Sequence, residues 1–173
     1  MSAKIYFISD PHLGHYNMAI KRGFPDTYCH DENFIAQWNM TVNKHDTVYI
    51  LGDVTMEKST NYQILDRLLG YKKVIGGNHD RIQHTIKMLE YVNSFGGVHY
   101  IRPKGITSVD RVILTHIPIH PMELEHAKAK GKNFINIHGH IHDGYVIPDK
   151  RYINVSAEML EYRPKTLEEL LKT

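Results

Sequence analysis

Short apolar runs recur along this chain, separated by longer polar or amphipathic stretches. Runs of this length, rich in Val, Ile and Tyr and followed by turn residues, predict buried β-strands. The predicted strands are Lys4–Ile8, Thr47–Leu51, Lys73–Ile75, Arg111–Thr115 and Phe134–Ile137. The chain is therefore expected to build its core around β-sheet.

Between these runs, apolar residues recur at the spacing of an amphipathic helix. Phe34, Ile35, Trp38 and Val42 form one such stripe, and Asp31 precedes it at a position suited to a helix cap. A second stripe consists of Ile64, Leu65, Leu68 and Leu69, and it ends at Gly70. Two helices are thus predicted to lie between the first three strands.

The remaining segments of the chain give weaker patterns. Residues 18–30 contain Gly, Pro and Asp and are expected to be irregular. Short helices are predicted over 81–89, 121–130 and 166–171. The last of these has Thr166 and Glu169 at the spacing of a capping box.

The second half of the chain is richer in strands than the first. Residues 98–101 and 106–109 flank Pro103-Lys104-Gly105 and predict a hairpin, and residues 145–147 and 152–155 predict another. Alternating strands and helices followed by strand-rich sequence indicate an α/β (α+β) fold. We expect two mixed β-sheets packed as a sandwich flanked by helices, in a single domain spanning residues 1–173.

Composition narrows the class of protein. A length of 173 residues suits one domain, and the formal net charge of +2 is too small to indicate a nucleic-acid or membrane surface. Cys29 is the single cysteine, which excludes an internal disulfide. Without a signal-like start or a long apolar run, a cytoplasmic location is expected. The 13 histidines direct attention to metal or acid–base chemistry.

Each of the five predicted strands leads into a residue that can bind a metal. Asp10 and His12 follow the first strand, Asp53 the second, Asn78 the third, His116 the fourth, and His138, His140 and His142 the fifth. Buried strands of α/β domains carry functional groups at their carboxyl ends. Paired divalent cations are bound by carboxylate, imidazole and amide oxygen, with a carboxylate bridging them. The pattern therefore predicts a two-metal hydrolase.

These motifs together resemble the signature of calcineurin-like metallophosphoesterases. They are Asp10-x-His12, Gly52-Asp53, Gly77-Asn78-His79-Asp80, His116 and Gly139-His140-x-His142, and they occur in the family's order. The resemblance implies a metallophosphoesterase-like β-sandwich with two divalent metal ions, which in the family are Mn, Fe, Zn, Ni or Co.

The resemblance also implies a role for each motif residue. Asp10, His12 and His142 would bind the first metal, Asn78, His116 and His140 the second, and Asp53 would bridge them. A bridging hydroxide would attack phosphorus in line, while His79 assists the leaving oxygen and Asp80 orients His79. The glycine before His140 favours His140 and His142 as ligands, which leaves His138 as a hydrogen-bonded residue at the strand end.

Several other polar residues stand near these motifs. His15 and Asn17 follow the first motif, and they either contact substrate phosphate, as in small bacterial and phage-type members of the family, or stabilise the loop. Arg22 and Arg81 could reach a phosphate, but we expect them on the solvated surface.

The motifs depart from those of the family's protein phosphatases. Gly52-Asp53 is not followed by Asp-Arg-Gly, and Asn78-His79 is followed by Asp80 where those enzymes have Glu. We therefore expect a phosphodiesterase acting on nucleotide-like or other small diesters. The alternatives are a phosphomonoesterase, including a protein phosphatase, and a non-catalytic scaffold. The expected partner is a small phosphate ester, and the sequence leaves the oligomeric state open.

Overall fold

A computed structural model describes residues 3–55 and 59–172 of the chain, and these residues form two mixed β-sheets. The strands are β1 (Ile5–Ile8), β2 (Thr47–Ile50), β3 (Tyr71–Ile75), β4 (Ser94–Gly96), β5 (His99–Ile101), β6 (Arg111–Leu114), β7 (Phe134–His138), β8 (Tyr152–Asn154) and β9 (Lys165–Thr166). One sheet has the order β4-β3-β2-β1-β9 and the other the order β5-β6-β7-β8. The prediction of two mixed sheets is confirmed.

Helices flank the two sheets, as the sequence predicted. The α-helices are α1 (Tyr16–Lys21), α2 (Thr27–Thr41), α3 (Ile82–Met88), α4 (Pro121–Ala129) and α5 (Leu167–Leu170), and 3₁₀ helices cover Ser59–Arg67 and Ala157–Leu160. In the described part of the chain, no helix has the length and apolar character that crossing a membrane requires.

Parallel pairing brings the carboxyl ends of the central strands to common edges. In the first sheet β1, β2, β3 and β4 are parallel, and only β9 is antiparallel to its neighbour. In the second sheet β6, β7 and β8 are parallel, and β5 is antiparallel. The segments that carry the predicted ligands therefore leave each sheet at one edge.

A single apolar core contains side chains from both sheets and from the helices. Ile8, Val48, Leu114 and Ile137 are all buried in it, and so is Trp38 of α2. The indole of Trp38 donates a hydrogen bond of 2.9 Å to the carbonyl oxygen of Leu69, so its one polar group is satisfied.

The segment 18–30 is more regular than predicted. Gly23, at φ +81°, separates α1 from α2, and α2 begins after Asp26, whose carboxylate accepts a 2.7 Å bond from the backbone N–H of Cys29. Asp31, predicted as a cap, lies inside α2 and instead accepts from the backbone N–H of Gly14 at 2.9 Å. The prediction that Asp31 caps this helix was wrong because the helix begins more than one turn earlier, with Asp26 as its cap.

The helix predicted to end at Gly70 is a 3₁₀ helix. Its three-residue repeat places Tyr62 and Leu65 on the buried side, and Leu68, just after the helix, is buried as well, whereas Leu69 is 43% exposed. The α-helical spacing used for the prediction therefore assigned Leu69 to the wrong face.

Both predicted hairpins were wrong in their partners. β5 pairs with β6, so that Ile101 lies opposite Val112, while residues 106–109 form no strand. β8 pairs in parallel with β7, and residues 145–147 lie in an irregular segment with Tyr145 and Val146 exposed. In each case the strand pairs with another strand of its sheet and not with the segment that was predicted to be its hairpin partner.

The capping box of α5 is present and gives a stability prediction. Glu169 N–H donates to the Thr166 hydroxyl at 3.4 Å, and the Glu169 carboxylate accepts from Thr166 N–H at 2.7 Å. Thr166→Ala should lower the free energy of unfolding in urea by about 1 kcal/mol. Thr107→Ala, in an exposed turn, is the control and should change it by less than about 0.5 kcal/mol. Equal effects of the two changes would contradict the cap.

Candidate metal centre

Tight left-handed turns direct most of the predicted ligands away from their strands. Positive φ angles of 48° to 69° occur at Asp10, His12, Asp53, His140 and His142. Residues with side chains rarely adopt this conformation, and it costs about 1–3 kcal/mol per residue where they do. Such strained positions cluster at functional sites, and five of the seven non-glycine residues with positive φ in the described chain are predicted ligands, the other two being Glu161 and Tyr162.

Glycines next to these ligands allow the loops to approach one another. A Cβ atom on Gly139 would collide with the Ser9 hydroxyl and with Oδ2 of Asp10, and one on Gly77 would collide with Oδ1 of Asp53. Gly139 and Gly77 are therefore required by close contact rather than by backbone angle.

The carboxylate of Asp10 lies at the junction of the two sheets and is fully buried. Its Oδ2 atom accepts hydrogen bonds of 3.0 Å from His140 N–H and from the Ser156 hydroxyl. Its Oδ1 atom is buried without a hydrogen-bond partner among the described residues. Burial raises the pKa of Asp10, so a neighbouring cation would favour the charged form of this oxygen.

Three imidazoles surround this oxygen. Asp10 Oδ1 lies 4.0 Å from His12 Nε2, 3.8 Å from His142 Nε2 and 3.9 Å from His116 Nδ1. Both ring nitrogens of the buried His12 also lack a hydrogen-bond partner within the described chain. Asp10, His12 and His142 thus form the predicted first-metal group.

The predicted second-metal group is more closely spaced. Oδ1 of Asn78 lies 2.8 Å from Nε2 of His116 and 2.9 Å from Nδ1 of His140, and the two ring nitrogens are 3.2 Å apart. His116 Nδ1 donates to the carbonyl oxygen of Leu51 at 2.8 Å, which leaves Nε2 facing the group.

Asp53 stands between the two groups. Its Oδ2 atom lies 3.4 Å from His116 Nε2 and 3.9 Å from His12 Nε2, as a bridging carboxylate would. A cation about 2.1 Å from each of two donors, at an angle of about 90° to 120°, holds them about 3.0 to 3.6 Å apart. The observed donor separations of 2.8 to 4.0 Å bracket this range, so the residues fit divalent metal ions. Their assignment as ligands stays a prediction.

The electrostatics of the cluster favour a cation as well. Burial lowers the pKa of His12 to about 3, so its imidazole is neutral and free to bind a metal. Burial opposes the charge on Asp53, but the hydrogen bond and charge of His116 outweigh it and hold the pKa of the carboxyl group below its usual value. Asp53 is thus ionised beside the neutral His12, whereas at His116 the hydrogen bond to Asp53 and its charge outweigh burial and raise the pKa.

His79 and Asp80 lie on the loop after β3, beside the cluster. His79 N–H donates to Asp53 Oδ1 at 2.9 Å, and its ring centroid is 5.9 Å from that of His12 in an edge-on arrangement. The Asp80 carboxylate accepts backbone N–H bonds from Asp53 at 2.7 Å, Gly77 at 2.9 Å and Val54 at 3.1 Å, while burial raises its pKa to about 6. Asp80 therefore fixes the two loops together; its predicted contact with the His79 side chain stays a prediction.

The remaining predicted residues differ in how close they lie to the cluster. The half-buried His15 ring lies 5.7 Å from the ring of His12, whereas Asn17 is exposed on the first turn of α1. Their contact with substrate stays a prediction. His138 is buried at the end of β7, with Nδ1 3.0 Å from the carbonyl oxygen of Gly139, as expected for a strand-end histidine.

Sequence patterns gave no sign of two residues that support the cluster. Glu158 lies 2.6 Å from Nδ1 of His142, which is the pairing of histidine with carboxylate that often orients metal ligands. Arg22, expected on the solvated surface, is instead buried, with 3% of its side chain exposed, and it contacts Glu158. Arg22 follows α1 and Glu158 lies in the 3₁₀ helix Ala157–Leu160, and neither belongs to a motif, so only the folded contacts reveal their role.

The chain is similar to known proteins over most of its length. Residues 3–157 match the family model described as the calcineurin-like phosphoesterase superfamily domain. An uncharacterised protein of Methanocaldococcus jannaschii is 30% identical to the chain over 182 residues, covering 98% of this chain and 90% of that protein.

Two solved structures share the fold. A protein of unknown function from Aquifex aeolicus is 27% identical, with a TM-score of 0.76 over 99% of both chains. A structure described as a novel archaeal phosphodiesterase is 18% identical, with a TM-score of 0.53 over 88% of this chain and 81% of that one. At that identity the second likeness concerns the fold alone.

The close packing at Gly139 gives a test of the cluster. In Gly139→Ala the added Cβ atom would push Ser9 and Asp10 away from residue 139. The affinity of the purified, metal-stripped protein for Mn²⁺ should therefore fall at least about tenfold in calorimetric titration. Gly97→Ala is the matched control, because a Cβ atom there meets nothing within 4 Å. Unchanged affinity in Gly139→Ala would remove Asp10 from the metal centre.

Proposed function

The chain belongs to the calcineurin-like phosphoesterase superfamily, and on that basis we propose that it is a metal-dependent phosphodiesterase acting on nucleotide-like or other small diesters. The observation that carries the proposal is the meeting of seven predicted ligands at the strand ends, where Asp10 and His12 have buried atoms without partners among the described residues. Asp10, His12 and His142 of the first-metal group are spaced to hold a cation, and so are Asp10, Asp53 and His116.

The proposed roles follow the first-metal and second-metal groups defined above. Asp10, His12 and His142 would hold one divalent ion, Asn78, His116 and His140 the other, and Asp53 both. When bound, the ions would supply Lewis-acid activation of the phosphate and of the attacking water. Two aspartates do not cancel two divalent cations, so the site would remain net positive and attract a phosphate diester.

His79 is the proposed general acid. Its backbone is held by Asp53 and its ring lies edge-on to that of His12, contacts that support a role for the imidazole beside the proposed phosphate. As water oxygen bonds to phosphorus and the opposite P–O bond breaks, His79 would give its proton to the departing oxygen. Asp80 supports this step by tying the His79 loop to the loop of Asp53.

The preference for diesters rests on the motifs that follow Asp53 and Asn78. The chain lacks the Asp-Arg-Gly continuation and the Asn-His-Glu block of protein phosphatases, which leaves small diesters as the favoured class. A phosphomonoesterase is the second candidate. Manganese as one of the metals, a small phosphate ester as the partner and a cytoplasmic location belong to the same proposal.

Paired chromogenic substrates test the reaction class. Protein loaded separately with Mn²⁺, Zn²⁺, Ni²⁺ and Mg²⁺ should hydrolyse bis(p-nitrophenyl) phosphate with a kcat/KM at least about tenfold above that for p-nitrophenyl phosphate. A preference for the monoester of that size would favour the second candidate. Inactivity with every metal and both substrates would favour a binding scaffold.

Removal of the His79 side chain tests the acid. His79→Ala should leave metal affinity unchanged and lower kcat about 10²- to 10⁴-fold on a diester with an alkyl leaving group. The loss should be smaller with p-nitrophenolate, which needs little protonation to depart. His126→Ala, on the exposed face of α4, is the control and should retain full activity. Near-normal turnover of the alkyl diester by His79→Ala would exclude His79 from the reaction.

A further inference from the structure

Arg22 is buried beneath the loop that carries Asp10 and His12. Its guanidinium donates to the carbonyl oxygens of Asp10 at 2.7 Å and Pro11 at 3.1 Å. The same group lies 2.5 Å from Oε2 of Glu158, and its side chain is 3% exposed. Arg22 therefore links the backbone of the first motif to a carboxylate that comes 136 residues later in the chain.

Glu158 connects this arginine to a predicted metal ligand. Its second oxygen, Oε1, lies 2.6 Å from Nδ1 of His142. A carboxylate can only accept here, so Nδ1 of His142 carries a hydrogen, and in the neutral ring Nε2 keeps its lone pair. That Nε2 atom lies 3.8 Å from Oδ1 of Asp10, on the side where the first metal would bind.

A buried histidine fixes the other side of the arginine. His30 is fully buried, and its Nε2 atom lies 3.0 Å from Nη1 of Arg22. Because arginine only donates, Nε2 of His30 accepts, and Nδ1 of His30 donates to Asp31 at 2.8 Å. Asp31 in turn accepts from Gly14 N–H at 2.9 Å, so the chain of contacts returns to the loop of His12.

Aromatic rings enclose the same arginine. The guanidinium carbon lies 5.8 Å from the centre of the Tyr162 ring, and Phe24 packs edge-on against both Tyr162 and His30. Glu161 and Tyr162 both adopt left-handed backbone angles, of φ 51° and 62°, directly after the 3₁₀ helix that carries Glu158. Arg22 is thus held on several sides and has little freedom to move.

Among the described residues, the contacts that this pair makes with the cluster reach only one half of it. Arg22 holds the segment of Asp10, and Glu158 holds His142, both of the first-metal group. We propose that Arg22 and Glu158 are positioning residues that hold the Asp10 loop and His142 in the geometry that binds the first metal ion, and so set the affinity of that position separately from the second. The inference rests on the proposed two-metal function.

Metal titration of site-specific variants tests the inference. Wild-type, metal-stripped protein is titrated with Co²⁺, and both the heat and the visible absorption of the ion are followed. His142→Ala identifies the binding step of the first position, and Asn78→Ala identifies that of the second. Glu158→Gln should weaken the His142-dependent step about 10- to 100-fold and leave the Asn78-dependent step within about twofold.

Two further variants separate positioning from general stability. Arg22→Lys keeps the charge but has three N–H donors on one nitrogen for the four acceptors of the guanidinium, so it should weaken the same step by a smaller factor. Glu125→Gln removes the carboxylate of another Arg–Glu pair, with Arg151, and should change neither step. Equal weakening of both steps by Glu158→Gln, together with a lower urea midpoint of the metal-free protein, would overturn the proposal, as would an unchanged titration.

A measurement on the wild type does not depend on how the variants fold. In the Zn²⁺-loaded protein, ¹⁵N-edited NMR of the imidazoles should place the hydrogen of His142 on Nδ1, in a strong hydrogen bond. A hydrogen on Nε2 would overturn the positioning role. If wild-type protein shows no binding step sensitive to His142→Ala, the two-metal function itself fails, which is distinguishable from a variant that binds normally.

Discussion

The carboxylate of Asp10 is buried where the two sheets meet, and much of the surrounding structure compensates for its loss of contact with water. Asp10 lies one residue after Ser9, whose backbone bonds to Val155 across the sheets at 2.8 Å. Removing a carboxylate from water is costly unless it is bonded or paired. One oxygen is bonded by His140 N–H, which follows β7, and by the Ser156 hydroxyl, which follows β8, and the other faces three imidazoles. The contact that joins the sheets and the contact that builds the site are therefore the same.

That requirement explains why backbone strain gathers at one place. Five predicted ligands have positive φ angles, and at about 1–3 kcal/mol each this conformation is a considerable burden for a small domain. The core on either side is well packed, with Ile8, Leu51 and Ile137 fully buried, so the strained loops are held by rigid strands. Stability is lowered at the site in exchange for ligands that already point toward one another.

The parts of the fold that the sequence predicts are those set by local pattern. Buried parallel strands read as continuous apolar runs, and whatever follows them must emerge at one edge, so the strands and the meeting of their ligands were predictable. The pairing partners of the strands were not predictable in the same way. β8 pairs with β7 and not with the nearer segment 145–147, and no local pattern in the sequence indicates that pairing. Arg22 and Glu158 lie 136 residues apart, and no local pattern connects them.

The two halves of the cluster are unequal before any ion enters. The ligand atoms of the second group already lie 2.8 to 3.2 Å from one another, so an ion there enters among side chains that are in contact. The donors of the first group stand 3.8 to 4.0 Å apart, and Asp10 Oδ1 and the His12 nitrogens have no partner among the described residues. Without internal bonds, that group depends on groups behind it to stay in place. The buried arginine and glutamate lie behind this half, where the structure has the greater need of support.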